Sequence, residues 1–453
     1  MPQCLLIAVM AFCLLFWDAL RQCPGELPGL ILGGIEAAFD DPTVQWAIVL
    51  CIGASLAAFF IFRNQGFAQE GTAVVCSEIM WAFLMLLAAV NYYYNGQNAS
   101  SSSQAIMLLG GAALGKGAWM TVFLRRDVAA KRRSLLRLLA AAVFILLVGC
   151  LWKSGAGQNQ FYRGNTRWLG PWDNPNIYGV LMGVGVVVTV GVAICGGITG
   201  NGGLRRGSLS SFGKWLPSAA ALVLCIGLLK SYSRGAWLAV GVGGLYLLIL
   251  WWKRCHIESA KLFRWMRIGA GVAIVPCAVL TLLLWHYQNT GNVTAHRAIS
   301  ASNRNDLSWR NRIAAWEGAL QIMAGHPWFG AGWNQAEPLY EHYYLPPKLT
   351  ESAAIEMNDY LMLGDTLGIP ALFCFCMYLW LSFTFRPSEL PLQPLAFSLQ
   401  PSELDWLKTV CRAGALVLAV GFWFDGGLFK LPTAATFWIL LELGREEAQK
   451  AQK

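Results

Sequence analysis

Charge is scarce in this sequence. Asp, Glu, Lys and Arg make up 13% of its 453 residues, against roughly 25% in soluble domains. So little charge cannot cover a solvated surface, which excludes an ordinary soluble enzyme or binding module. Histidine is scarcer still, with five residues, so a His-rich metal site is not expected. The sequence carries no Walker loop, no dinucleotide-binding G-x-G-x-x-G, no H-E-x-x-H and no G-x-S-x-G. There is no C-x-x-C pair among the thirteen cysteines. Cys51, Cys76, Cys150, Cys225, Cys277, Cys374 and Cys376 fall in apolar runs and read as small buried hydrophobes. No basic segment precedes the apolar residues 4–17, and no clear A-x-A site follows them. They read as a retained helix, not a cleaved signal. No internal repeat is visible, which counts against a transporter built from repeats.

What is present is apolar length. Hydrophobic residues make up 56%, and the mean hydropathy is +0.48. A membrane helix needs roughly 17–25 apolar residues, and lipid offers no partner for free backbone groups. About twelve spans are expected on that ruler, centred on 4–20, 46–62, 74–90, 105–124, 135–152, 177–198, 215–230, 236–252, 268–285, 367–385, 409–424 and 431–443. The fold class expected is an all-α polytopic membrane protein. Residues 1–285 would form helices one to nine, 286–358 a large loop, and 359–453 helices ten to twelve with a tail.

The formal net charge of +9 could suggest nucleic acid, but its distribution points to a membrane. Arg125, Arg126, Lys131, Arg132, Arg133 and Arg137 crowd one connection, Arg205, Arg206 and Lys214 another, and Lys253, Arg254, Lys261, Arg264 and Arg267 a third. These alternate connections are basic, which places them in the cytoplasm. The segment 91–104 has no Lys or Arg and falls outside. With an even number of spans both termini are cytoplasmic, and the tail 444–453 reads as a solvated helix end.

The polar stretch 286–358 lies on the outer side. Loops so long usually have a job, and chemistry on a charged substrate is the natural candidate. Within it, 308–324 reads as an amphipathic helix, with Trp309, Ile313, Trp316, Leu320 and Met323 forming one apolar stripe. Arg312 precedes Trp316 by four residues and could be solvated or stacked on it. Arg234, in SYSRGAW, sits at the outer end of a span, where it could snorkel or join Lys230 in a cationic pocket. Such a pocket would suit a pyrophosphate, because guanidinium groups grip phosphate oxygens in bidentate fashion. Arg163 and Arg167 are also external. Asn174, Pro175 and Asn176 read as a turn and helix start, with an anion site as the functional option. Asn358 and Asp365 share a helical face, and Asp359 suits a helix start. Glu78 and Lys116 fall inside spans, where charges are normally paired or functional.

In order along the chain stand DNPNIYG (173–179), SYSRGAW, NRIAAWEGAL (311–320), HPWFGAGW (326–333) and MNDYLMLGDTLGIPAL (357–372). This ordered set resembles the O-antigen ligase and polymerase superfamily of bacterial polytopic glycosyltransferases. The resemblance implies about twelve helices, a large periplasmic loop and an inner-membrane location. It implies transfer of a glycan from an undecaprenyl-diphosphate carrier, with no cofactor and no metal, to an acceptor: a lipid A core, another carrier-linked repeat, or a Ser or Thr. A ligase to the lipid A core is the expectation taken forward, with a transporter or an inactive carrier-binding relative as rival classes. Arg234 and Arg312 match the family's diphosphate-binding arginines, with Arg167, Arg163, Asn176 and His342 as further substrate-binding candidates. Where the family usually opens the helix after the loop with a His-Asn pair, this chain has Met357 and Asn358. Met cannot take a proton. The catalytic candidates are therefore Glu356, Asp359 and Asn358, with His342 more distant in sequence.

Overall fold

The computed structural model describes residues 2–16, 72–95, 99–124, 127–152, 161–162, 165–172, 174–198, 211–256, 307–347, 349, 352–384 and 403–445. Along these residues α1 (Pro2–Ala11) runs into a π-helical turn, Phe12–Phe16. Then come α2 (Thr72–Asn95), α3 (Ala99–Phe123) and α4 (Val128–Leu151). A two-residue antiparallel pairing of Phe161–Tyr162 with Asn165–Thr166 follows. Next are α5 (Pro175–Ile198), α6 (Ser211–Lys230), α7 (Arg234–His256) and α8 (Leu307–Gly325). After the short α9 (Ala336–Leu339) and a π-helical turn at Tyr340–Tyr344, a 3-10 turn covers Ser352–Met357. The chain continues through α10 (Asp359–Leu367), α11 (Ile369–Thr384), α12 (Glu403–Gly421) and α13 (Leu431–Gly444).

Helices overlie the expected spans wherever those fall on described residues; the spans expected at 46–62 and 268–285 lie outside them. Among the described residues, five helical segments are long and apolar enough to cross a membrane, in α2, α3, α4, α5 and α7. The apolar parts of α6, α11 and α13 are shorter.

The short last helix has a reason in its position. From Pro432 to Gly444 every residue of α13 is buried. It packs most extensively on α3 and next on α12. The approach to α3 is close: a Cβ on Gly115 would fall 2.6 Å from the Trp438 carbonyl oxygen. Small residues let membrane helices meet backbone to backbone in this way. At the far end of α13, the Arg412 guanidinium donates to the Gly444 carbonyl at 2.6 Å. That satisfies one of the orphan carbonyls of a helix C-terminus and sets a cation on its negative pole.

The loop that precedes α10 is docked, not loose. Ile369 N–H donates to the Pro327 carbonyl at 2.8 Å, and Ala331 N–H to the Asp365 carbonyl at 2.6 Å. Asn91, from α2, donates its amide to the Phe329 carbonyl at 2.5 Å. The turn at 326–333 thus bridges α2 and the α10–α11 junction.

The helix expected at 308–324 forms as α8. Ile313 and Leu320 are 45% and 56% exposed, while Ala315, Ala319 and Ile322 are almost fully buried. The small residues turn inward because Tyr340 lies against the backbone at Gly318.

Candidate functional site

The site grows from the tight turn between α6 and α7. Tyr232 there has φ 51°, a left-handed conformation uncommon for a residue with a side chain. The Ser231 hydroxyl donates to the Leu228 carbonyl at 2.6 Å and accepts from Ser233 N–H at 3.2 Å. The Ser233 hydroxyl accepts from Ala236 N–H at 3.2 Å, so it caps the start of α7.

Two arginines from distant segments converge on this turn. Arg167 donates through Nε to the Ser231 carbonyl at 2.8 Å and through Nη2 to Asn176 Oδ1 at 2.7 Å. Asn176 lies in the first turn of α5, where Asn174 Oδ1 accepts its N–H at 2.8 Å. Arg312, from α8, makes a 2.8 Å ion pair with Asp425. Asp425 also accepts from the Ser233 hydroxyl at 3.1 Å. A Cβ on Gly235 would fall 2.5 Å from Asp425 Oδ2, so the glycine of the Ser-Arg-Gly sequence makes room for the carboxylate. Arg234 opens α7 beside it, half-buried. The Arg312 Nε is buried and carries no hydrogen bond. One edge of the guanidinium is thus anchored and a second donor is left for another acceptor.

Arg312 turns to Asp425 and leaves Trp316 to an aromatic cluster. Trp316 meets Trp309 and Trp423 edge-on at 6.1 and 5.9 Å, and Trp423 packs on Tyr360 at 5.6 Å.

Asn358 caps α10: its Oδ1 accepts from Tyr360 and Leu361 N–H at 3.1 and 3.2 Å. Its Nδ2 is buried without a partner. Asp359 is 1% exposed. Its carboxylate accepts from Leu428 N–H at 2.8 Å, while its own N–H donates to the Phe422 carbonyl at 2.9 Å. It clamps the turn 422–430 that carries Asp425. Burial pushes the Asp359 carboxyl up to about 8, with the Leu428 N–H and Lys430 opposing. Asp365 is fully buried, and burial holds its carboxyl well above the usual range. One Asp365 oxygen takes the Thr366 hydroxyl at 3.1 Å, and the other has no partner.

Glu356 differs from both aspartates because it is half-buried. Its Oε1 accepts from Gln104 of α3 at 3.3 Å. Burial and, second, the nearby Glu337 raise its pKa, against Lys430 and the Gln104 hydrogen bond. Glu337 in turn accepts from the Ser352 hydroxyl at 2.9 Å.

Of the residues singled out from sequence, Arg167 and Asn176 meet each other, and Arg312 reaches the turn that bears Arg234. Asn358, Asp359 and Glu356 lie side by side, next to the turn holding Asp425. His342 is exposed, its ring edge-on to Tyr343 at 4.5 Å, and it joins none of these hydrogen bonds. Arg163 lies outside the described residues. The sequence reading missed Asp425 and Gln104. A groove of about 420 Å³ on the opposite side of α8 from Arg312 is lined by Arg310, Ile313, Ala314, Glu317, Pro346, Pro347 and Leu349.

Residues 219–376 match the family model described as O-antigen ligase. Over this segment, about a third of the chain, the match supports the resemblance to the O-antigen ligase and polymerase superfamily. The match takes in the α6–α7 turn, Arg312 and the start of α10, while Arg167, Asn176, Gln104 and Asp425 lie beyond it. No curated protein matches the chain. The O-antigen ligase family, with apolar helices of spanning length, supports a membrane glycosyltransferase of ligase or polymerase type. That family implies a lipid-linked glycan and an acceptor as substrates.

A second group of charges stands further along α3. Lys116 pairs with Glu78 at 3.0 Å, as its position in a span suggests, and also with Glu442 at 2.9 Å. Arg445 binds Glu78, Glu442 and Tyr378. The tail expected to be solvated from 444 onward therefore begins buried: Arg445 is 7% exposed, because two carboxylates inside the bundle require its charge.

Proposed function

We propose that the protein transfers a glycan from an undecaprenyl-diphosphate carrier to the lipid A core, as an O-antigen ligase at the periplasmic face of the bacterial inner membrane. The observation that carries this reading is the convergence of Arg167 and Arg312 on the 231–234 turn beside Arg234, with Arg312 Nε unpartnered. Cations gathered from separate helices suit a leaving diphosphate, whose charge grows as the bond breaks.

In the proposed step the acceptor hydroxyl oxygen bonds to the anomeric carbon. The bond from that carbon to the carrier phosphate oxygen breaks, and the diphosphate leaves with the electron pair. Glu356 takes the hydroxyl proton. Asp359 is fully buried and committed to the 422–430 turn, so it serves as a clamp and Glu356 as the base. A single displacement inverts the anomeric centre. The arginines carry the charge compensation, so no metal is needed for it.

The test uses purified protein with carrier-linked glycan and candidate acceptors, following carrier release and product size together. Glycan joined to lipid A core, with carrier released, is the expected result. A ladder of lengthening glycans would instead make the protein a polymerase. Donor binding without release on any acceptor would overturn the enzymatic reading in favour of transport or an inactive carrier-binding role.

A further inference from the structure

The base assigned to Glu356 is held by a residue from a different part of the chain. Gln104 lies near the start of α3, outside the matched segment. Its amide nitrogen donates to Glu356 Oε1 at 3.3 Å and to Asn334 Oδ1 at 3.1 Å. Its amide oxygen accepts from Asn334 N–H at 3.2 Å. One side chain thus ties together α3, the turn after HPWFGAGW and the 3-10 turn before α10. Asn334 has φ 58°, an uncommon backbone conformation that persists where surroundings over-determine it. Its two hydrogen bonds with Gln104, one donated and one accepted, do so here.

The consequence for Glu356 is asymmetry. Oε1 is engaged, whereas Oε2 has no hydrogen bond among the described residues and belongs to a half-buried side chain. Met357, the next residue, offers no proton acceptor. We propose that Gln104 is a positioning residue for the transfer, fixing Glu356 so that Oε2 is the oxygen presented to the acceptor hydroxyl. The inference rests on Glu356 being the base.

Gln104 also supports the carboxylate form of Glu356, since donors to a carboxylate favour its charge. Losing it therefore has two consequences: a less well-placed oxygen, and a base that needs higher pH to ionise. Neither is a consequence of general loosening of the fold.

Initial rates of transfer from polyprenyl-diphosphate-linked glycan to lipid A core separate these roles across pH 5 to 9 (roughly the range in which a raised carboxyl titrates). The full-length protein is compared with Gln104→Ala, Asn334→Gly and Glu356→Gln. Gln104→Ala should lower kcat about ten- to a hundred-fold, leave the donor KM unchanged, and move the acidic limb of the profile to higher pH. Asn334→Gly keeps the left-handed turn and its N–H but removes Oδ1, so a smaller change in the same direction is expected; it decides the matter if Gln104→Ala does not fold. Normal kcat and an unmoved acidic limb in both variants, with Glu356→Gln inactive, would overturn the role of Gln104 alone. Substantial activity in Glu356→Gln would instead remove Glu356 as the base.

Discussion

The two polar clusters of this bundle stand on the same helix and are built on opposite principles. Gln104 and Lys116 are about 18 Å apart along α3, at about 1.5 Å per residue. Around Lys116, two acids meet two bases: Glu78 and Glu442 against Lys116 and Arg445. Tyr378 and Ser77 add hydroxyls to the same network. No buried polar side-chain atom of these six residues is left without a partner. Around Gln104 and the α6–α7 turn, by contrast, Arg312 Nε, Asn358 Nδ2 and Asp365 Oδ2 are buried and unpartnered. Buried polar groups are normally satisfied, and an exception asks for an explanation. A closed network specifies packing, while an open one is poised for a group it does not yet hold. On the proposed function, the first cluster holds the packing and the second serves the transfer.

That contrast can be broken by mutation. The largest effect is expected for Arg312→Ala, which should cut transfer about 10²- to 10³-fold per unit of folded protein. Near-normal rates in the membrane fraction would undo the diphosphate role. Lys116→Met should act on stability, because removing one partner of a buried ion pair costs about 3–5 kcal/mol. Thermal unfolding in detergent should fall sharply while the surviving folded protein keeps its specific activity; lost activity at unchanged stability would reverse the assignment.

A subtler effect concerns pH. Asp359 is raised to about 8 in the folded protein, above its ordinary value near about 4. Its contribution to stability is therefore whole below that ordinary value and is lost as pH rises through about 8. Asp359→Asn keeps an oxygen for the Leu428 N–H but has no charge to bury. Across that window the melting temperature of the unmodified protein should fall relative to the variant. Parallel curves would show that Asp359 is not the buried acid described. The smallest effect is expected for His342→Ala, within about twofold of normal activity. A loss comparable to that of Arg312→Ala would return His342 to the site.

The helices were legible because membrane length is a composition signal. Apolar runs at 177–198 and 431–443 became α5 and α13 with ends shifted by at most a few residues. The pairing of Glu78 with Lys116 was legible too, since charges in a span seek each other. Asp425 was not, because Asp-Gly-Gly reads as an ordinary turn. Only the fold brings it 2.8 Å from an arginine 113 residues away. Gln104 was hidden among serines at the start of a span. Glu442 and Arg445 were hidden at a helix end, where polar residues are usual. The inward face of α8, Ala315, Ala319 and Ile322, was not legible because periodicity marks an apolar stripe and not the small residues that a close neighbour selects.

The burial of α13 has a consequence for how the chain is made. At about 1.5 Å per residue, its 14 residues extend about 21 Å, short of a hydrocarbon core of about 30 Å. It presents no lipid-facing side with which to enter a bilayer unaided, and its Glu442 needs Lys116 and Arg445 waiting. Insertion therefore has an order. The surrounding helices must first enclose a slot, and α13 enters it last, as a keystone closes an arch.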